Sequence, residues 1–506
     1  MHLPVGFRAT ILEKGEIMNF FLTLTALFMT FAEVFSQAEQ KEFVIGAFWE
    51  PAMSGIVATD SMRLTTCKNG GFNTIIHSNS EDAANPTNAN RYWNSYADTT
   101  GDGLRYLLER MQAVGGLRIM IADNRFQELV SVTYPQNRDY WLVDALTNAR
   151  VTAITNDYGN ITGEPNHINI DNDIILGYHI KDEPWPLIKT HGGSVNPVVD
   201  RVVPLMQALN ANDADRIAFA NLFPYNTVLG KGLYFANFSD YKTYVTNYMN
   251  SGATNVASFD YYPFYNGGWN TYAVAGGVTY YYRNLHLFAT ETVQRHMNFW
   301  AYPLAVEHFR YDAITEVNLR FVAHAPILYG AKGLVYFTYA TPNGYHDAMI
   351  TPDFTTTDIY TWAKTINTRL AKMGPTLMDL TWRETIHTVS PNPDSNEPVN
   401  IDNTTDVIRQ NGISDSSFAV SVFEGKDKKN YLIAMNLDRV FAHSVTISCV
   451  DDVNAEKYVQ ATDKWNTIGG KFFTLNDIQP AGIELIRLDP AISPTIHGKD
   501  AKNAAQ

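Results

Sequence analysis

Two glutamates stand where apolar runs give way to polar sequence. Glu183 follows Gly177-Tyr178-His179-Ile180-Lys181-Asp182 and precedes Pro184-Trp185-Pro186, and Glu307 follows Ala301-Tyr302-Pro303-Leu304-Ala305-Val306. Two carboxyls are what cleavage of a glycosidic bond requires: one, protonated, delivers its proton to the leaving oxygen, and the other, ionised, attacks the anomeric carbon. Facing each other about 5–5.5 Å apart, such a pair runs the retaining reaction. On this reading Glu183 is the general acid/base and Glu307 the nucleophile, with Asp260 in reserve. The bland alternative for either glutamate is a salt bridge at a surface rim.

Other residues near the ends of the same kind of run suit sugar binding. Trp49, Trp185, Tyr262, Trp269 and Tyr339 could stack on pyranose faces, and each could equally be an ordinary core aromatic. Glu50, Asp123, Asp182 and Asn221 could bind hydroxyls, as could His77, His179 and His308. The sequence has no His-x-His or His-Glu-x-x-His spacing. No metal or other cofactor is therefore expected, and a metal-dependent hydrolase built on these histidines is the weaker reading.

Placing these side chains together requires a scaffold, and the spacing of the runs supplies one. Short β-branched or aromatic stretches begin at residues 43, 73, 117, 174, 216, 256, 299 and 333, with helix-length intervals between them. Residues 103–114, 198–210 and 315–328 have helical character. Eight βα repeats predict an α/β fold of the (β/α)8 TIM-barrel type, whose active site lies at the C-terminal ends of the strands. An open doubly wound sheet would carry a Gly-rich loop after its first strand, and none follows Trp49.

Strand parity then sorts the faces. In the fourth run Ile174, Leu176, Tyr178 and Ile180 form a face expected to pack on helices, leaving Ile175, Gly177, His179, Lys181 and Glu183 inside. In the seventh, Trp300, Tyr302, Leu304 and Val306 are expected outside, and Ala301, Pro303 and Ala305, ending in Glu307, inside. In the sixth, Ser258, Asp260 and Tyr262 share the inward face. A last helix is expected over 359–372, closed by Gly374-Pro375. Beyond it, alternating short runs such as Phe418–Phe423, Tyr431–Asn436, Val445–Ile447 and Gly482–Leu488 predict an antiparallel β-sandwich. The barrel thus spans 40–375, the sandwich 376–490 and a loose tail 491–506.

The segments Gly177-Tyr178-His179-Ile180-Lys181-Asp182-Glu183-Pro184, Phe259-Asp260-Tyr261-Tyr262-Pro263 and Tyr329 to Tyr339 resemble the clan A glycoside hydrolases. They look most like secreted barrels related to the β-galactosidases. The resemblance covers roughly residues 40–375. It implies an acid/base at the end of strand four and a nucleophile at the end of strand seven, which correspond to Glu183 and Glu307. The clan usually has Asn directly before the acid/base, where this chain has Asp182.

Composition agrees with a neutral ligand. The 506 residues carry a net charge of −14, from 38 Lys and Arg against 52 Asp and Glu, which argues against a nucleic-acid partner. Aromatics are 13% of the chain, which provides rings for carbohydrate. The apolar stretch from Phe20 to Phe35 reads as a signal-peptide core with cleavage after Ser36, and the start is Met1 or Met18. That makes the protein secreted or periplasmic, with no stable membrane insertion after cleavage. The two cysteines, Cys67 and Cys449, are expected to be buried thiols. The leading functional expectation is a secreted retaining glycosidase acting on an oligo- or polysaccharide. The alternatives are a catalytically silent carbohydrate-binding barrel or a metal-dependent barrel hydrolase.

Overall fold

The computed structural model describes residues 38–51, 53–77, 104–123, 126, 151–152, 155–156, 172–184, 188–190, 193–196, 198–225, 235, 237–264, 271–308, 311–388 and 405–490. The expected leader and tail, and Trp185 and Trp269, lie outside these residues.

Eight parallel strands close into a barrel: β1 Val44–Phe48, β2 Thr74–Ile76, β3 Arg118–Ile121, β4 Ile175–Asp182, β5 Ile217–Leu222, β6 Val256–Asp260, β7 Asn298–Tyr302 and β8 Gly333–Tyr336. Each expected run contains one strand, within a residue or two at its start. Helices α1 Val57–Asn69, α2 Leu104–Val114, α3 Val203–Asn212, α4 Phe238–Met249, α5 Thr271–Gln294, α6 Glu316–Leu328 and α7 Asp358–Asp379 alternate with them. The strands read as continuous apolar runs because both of their faces are covered, by the lumen and by the helices.

Lumen and shell are separate clusters. Val44, Phe48, Ile76, Met120, Leu176, Phe219, Val256, Trp300, Tyr302 and Val335 fill the inside. Ile45, Ile75, Ile119, Tyr178, Ala218, Phe259, Ala301 and Leu334 pack outward among the helix residues. This reverses the faces expected for β7: Trp300, Tyr302, Leu304 and Val306 belong to the lumen cluster, and Ala301 and Ala305 to the shell. The barrel interior is a packed core that needs bulk. Gly333 on β8 makes room for it, since a Cβ there would sit 2.7 Å from the Trp300 ring. The Trp300 indole N–H donates to Gln40 Oε1 at 2.9 Å, and the Gln40 amide donates in turn to the Lys332 carbonyl at 2.7 Å, which closes the barrel bottom.

The parity expected for β4 holds at Ile174, Tyr178, His179 and Ile180 but fails at Ile175 and Leu176, because the strand contains two register shifts. Ile119 pairs with Ile175 but Met120 with Gly177, and Phe219 pairs with His179 but Ala220 with Lys181. Each extra residue swaps the faces. Ile175 therefore joins the shell and Leu176 the lumen, while at the mouth Asp182 pairs with Asn221. Gly177 permits the close approach of β5, since a Cβ at that position would meet the Ile217 carbonyl oxygen at 1.9 Å.

Helix α7 runs through Gly374-Pro375, which was expected to end it, and continues to Asp379. Pro375 removes a single backbone donor. Burial of Met373, Gly374 and Leu377 holds the turn, and the Lys332 ammonium donates to the carbonyls of Leu377 and Leu380 at the helix end. Strand β9 starts at the next residue.

The C-terminal part has nine antiparallel strands: β9 Leu380–His387, β10 Ile408–Ile413, β11 Phe418–Gly425, β12 Asn430–Asn436, β13 His443–Cys449, β14 Val453–Val459, β15 Lys464–Gly469, β16 Phe472–Ile478 and β17 Ile483–Pro490. They form one continuous sheet in the order β9-β11-β12-β17-β14-β15-β16-β13-β10. Ile386 from one end of that order and Ile408 from the other share a single core with Leu432, Phe473 and Ile486, so the sheet curls over itself in the manner of a sandwich. Its other face, through Phe423, Ile433 and Leu485, joins the barrel shell. His324 and Arg320 of α6 bond the carbonyls of Ala481 and Pro480 at 2.8 and 2.9 Å. Cys67 and Cys449 are free and buried, as expected. Among the described residues no helix is long and apolar enough to cross a membrane.

Candidate active site

The C-terminal ends of β4, β5 and β6 bring three polar side chains together. The Asn221 amide on β5 donates to Asp182 Oδ1 on β4 and to Asp260 Oδ1 on β6, each at 3.0 Å. Ser258 Oγ donates to Asn221 Oδ1 at 3.1 Å, which fixes the amide with its NH2 toward the two acids. Asn221 is 1% exposed, whereas both aspartates are half-buried and open to the mouth. Two acceptors held 3.0 Å from one planar NH2 nitrogen, with its hydrogens about 120° apart, lie about 5 Å from each other.

Burial, and then the charge of Asp182, push the Asp260 carboxyl up to about 7, against the opposing pull of the Asn221 hydrogen bond. Near neutral pH the Asp260 carboxyl is therefore present in both its protonated and its ionised form. The Tyr302 hydroxyl, on a side chain 3% exposed, has no hydrogen-bond partner among the described residues. Burial raises it well above the ordinary phenol range, and Asp182 and Asp260 are the first charges to add to that rise. Below the mouth, His179 lies between Phe48 and Phe219, with ring centroids 5.9 and 5.1 Å away, and neither of its nitrogens has a hydrogen-bond partner among the described residues. Burial, with Lys181 and His77 nearby, lowers it to about 3, so it is neutral.

Glu183 follows Asp182 directly. Its N–H donates to the Asn221 carbonyl at 2.9 Å and its φ is 44°, a left-handed conformation costing a non-glycine residue about 1 kcal/mol. Trp49, at the end of β1, has φ 63°. Strain of this kind collects where a side chain must be aimed. Glu307 stands beyond the end of β7, its side chain 33% exposed, with His346 Nε2 3.6 Å from its carboxylate.

An aromatic wall lines the side formed by β1, β6, β7 and β8. Phe337 lies at its centre, 5.5 Å from Trp49 and 5.8 Å from Tyr262 between ring centroids. His308 stacks on Tyr345 at 4.8 Å, and Tyr311 meets Tyr262 edge-on at 5.2 Å. On the opposite side His77 Nδ1 contacts the Ala122 carbonyl at 3.0 Å, and its Nε2 is 3.5 Å from Glu50. Asp123 is buried at the end of β3.

Of the residues singled out from sequence, Trp49, Asp182, Asn221, Asp260, Tyr262 and His308 converge on the cluster and wall just described. Tyr339 does not, being 1% exposed and packed in the shell edge-on to Phe72 at 5.4 Å. Val335 faces the lumen and Tyr336 the shell, and the wall residue at this strand end is Phe337. Sequence reading missed Phe337, Tyr302, Tyr311 and Tyr345. Counting by twos from Trp300 and Val335 on the correct faces would have found the first two. Tyr311 and Tyr345 sit in loops, where no period applies. Among the described residues no group of three His, Cys, Asp or Glu side chains is arranged to hold a metal.

No protein-family model matches the chain, and no curated protein matches it in sequence. Solved structures do share its architecture. A catalytic mutant of a GH42 β-galactosidase from Geobacillus stearothermophilus superposes with a TM-score of 0.50 at 10% identity, covering 90% of this chain and 100% of that one. A GH27 β-L-arabinopyranosidase from the same organism gives a TM-score of 0.48 at 10% identity over 90% of this chain and 97% of that one. At such identity the likeness to the first is one of fold.

Proposed function

We propose that this chain is an exported glycoside hydrolase that cleaves an oligo- or polysaccharide with retention at the anomeric carbon. The observation that carries the proposal is the pair of mouth carboxyls held by one amide nitrogen at 3.0 Å each, a bridge whose ideal geometry spaces their bonded oxygens about 5 Å apart, as in retaining enzymes. The raised Asp260 carboxyl keeps a protonated fraction near neutral pH, which suits it to donate a proton. The aromatic wall beside them suits the apolar face of a sugar ring. The ends of β4 and β7 offer Glu183 and Glu307 for the acid/base and nucleophile roles, and β4 and β6 offer Asp182 and Asp260. The fold shared with the β-galactosidase supports the choice of reaction class.

The test is turnover of a panel of 4-nitrophenyl α- and β-glycosides of galactose, glucose, arabinose, xylose, mannose and fucose by the chain from residue 37 onward. Release of 4-nitrophenol from at least one is expected. No release from any glycoside, together with saturable binding of free oligosaccharide, would point to a silent binding barrel instead.

A further inference from the structure

The four acids at the mouth differ in setting. Glu307 stands at the rim beside the exposed His346. Asp182 and Asp260 instead face one another across a buried amide whose flip is fixed by Ser258, so their spacing is set by the barrel sheet itself. The buried Tyr302 hydroxyl, without a partner among the described residues, lies within their field. A buried hydroxyl with no partner calls for an explanation, and at the mouth a polar ligand atom supplies one. Resting on the glycosidase reading above, we propose that the reacting pair is Asp182 and Asp260, with Asp182 as the nucleophile and Asp260 as the acid/base, in place of Glu183 and Glu307.

In the first step the Asp260 carboxyl transfers its proton to the glycosidic oxygen. The bond from that oxygen to the anomeric carbon breaks with its electron pair leaving on the departing alcohol, and Asp182 Oδ bonds to the anomeric carbon as an ester. In the second step the Asp260 carboxylate takes a proton from water. The water oxygen bonds to the anomeric carbon, and the ester bond breaks to return Asp182 as a carboxylate. One water is consumed, one sugar hemiacetal and one alcohol are produced, and both acids regain their starting states. The roles follow from the burial of Asp260, which favours its neutral form and so suits it to give a proton. Asn221 acts as a positioning residue that keeps the two oxygens apart.

The proposal is tested on the intact chain with the best aryl glycoside from the panel, as its 2,4-dinitrophenyl and 4-nitrophenyl forms and the matching 2,4-dinitrophenyl 2-deoxy-2-fluoro glycoside. The fluoro-sugar is expected to esterify Asp182, located by fragmentation of the labelled peptide. Asp260→Ala should slow the 4-nitrophenyl substrate by about 10²- to 10⁴-fold. It should slow the dinitrophenyl substrate, which needs no proton, far less, and azide should accelerate that turnover to give a glycosyl azide of retained configuration. Asp182→Ala should lose turnover and, with azide, give the inverted glycosyl azide. A label on Glu183 or Glu307, or equal loss on both substrates in Asp260→Ala with no azide effect, would overturn the assignment and leave the glycosidase reading standing. Absence of turnover by the wild-type chain would overturn both. Near-native circular dichroism of each variant separates these outcomes from misfolding, and Asp260→Asn, which keeps the Asn221 bond, replaces Asp260→Ala if the latter fails to fold.

Discussion

Replacing Asp260 with Asn removes an ionisable group while keeping an oxygen for the Asn221 amide, so its effect on stability should depend on pH. The Asp260 carboxyl lies at about 7 in the folded chain and near 3.9 in the unfolded chain. Below about pH 4 both states hold the proton and the group contributes nothing. As pH rises from about 4 to about 7 the unfolded chain releases the proton first, so the wild type loses stability across that window and levels off above it. A shift of about three pH units corresponds to a ceiling of about 4 kcal/mol. Asp260 is half-buried at an open mouth, and screening there reduces the figure to about 2 kcal/mol. At 2–4 °C per kcal/mol for domains of this size, the melting temperature of Asp260→Asn relative to wild type should rise by about 4 °C between pH 4 and pH 8. Scanning calorimetry at pH 4, 6 and 8 measures this, and the difference between the two proteins cancels the titrating groups that do not interact with Asp260. A difference constant across the three values would refute the raised carboxyl.

Gly177→Ala forces a Cβ into the Ile217 carbonyl at 1.9 Å and should cost several kcal/mol, read as a large fall in melting temperature or loss of folded protein. Trp49→Ala and Phe337→Ala remove rings of the mouth wall and should each weaken substrate affinity by about 1–2 kcal/mol, seen as a rise of roughly tenfold in KM. Expression of the full chain in a secreting host should give a mature protein beginning at Gln37, and N-terminal sequencing that returns an unprocessed start would contradict export by a cleaved leader.

The fold was legible because a buried parallel strand must be apolar over its whole length, so the runs at residues 43, 174, 256 and 333 announce β1, β4, β6 and β8 without any partner being known. What escaped depends on contacts between strands. The two register shifts of β4 lie against different neighbours, the first against β3 and the second, which turns Asp182 to the interior, opposite Phe219 and Ala220, and the sequence of β4 alone contains neither partner. Size misled the reading of β7, since Trp300 packs inside opposite Gly333 while Ala301 serves the shell. At the site, Asp260 was legible from its alternation with Ser258. Asp182 was visible as a possible hydroxyl contact and as a departure from the clan A pattern, and its link to Asp260 needed Asn221 from a third strand. Gly374-Pro375 read as a stop because the packing of α7 against β1 was not visible.

The central claim is that the mouth cleaves glycosides with retention, and proton NMR of the reaction with the best aryl glycoside tests it most directly by recording the anomer formed before mutarotation. The account predicts that the first sugar released has the same anomeric configuration as the substrate. Release of the opposite anomer would contradict it.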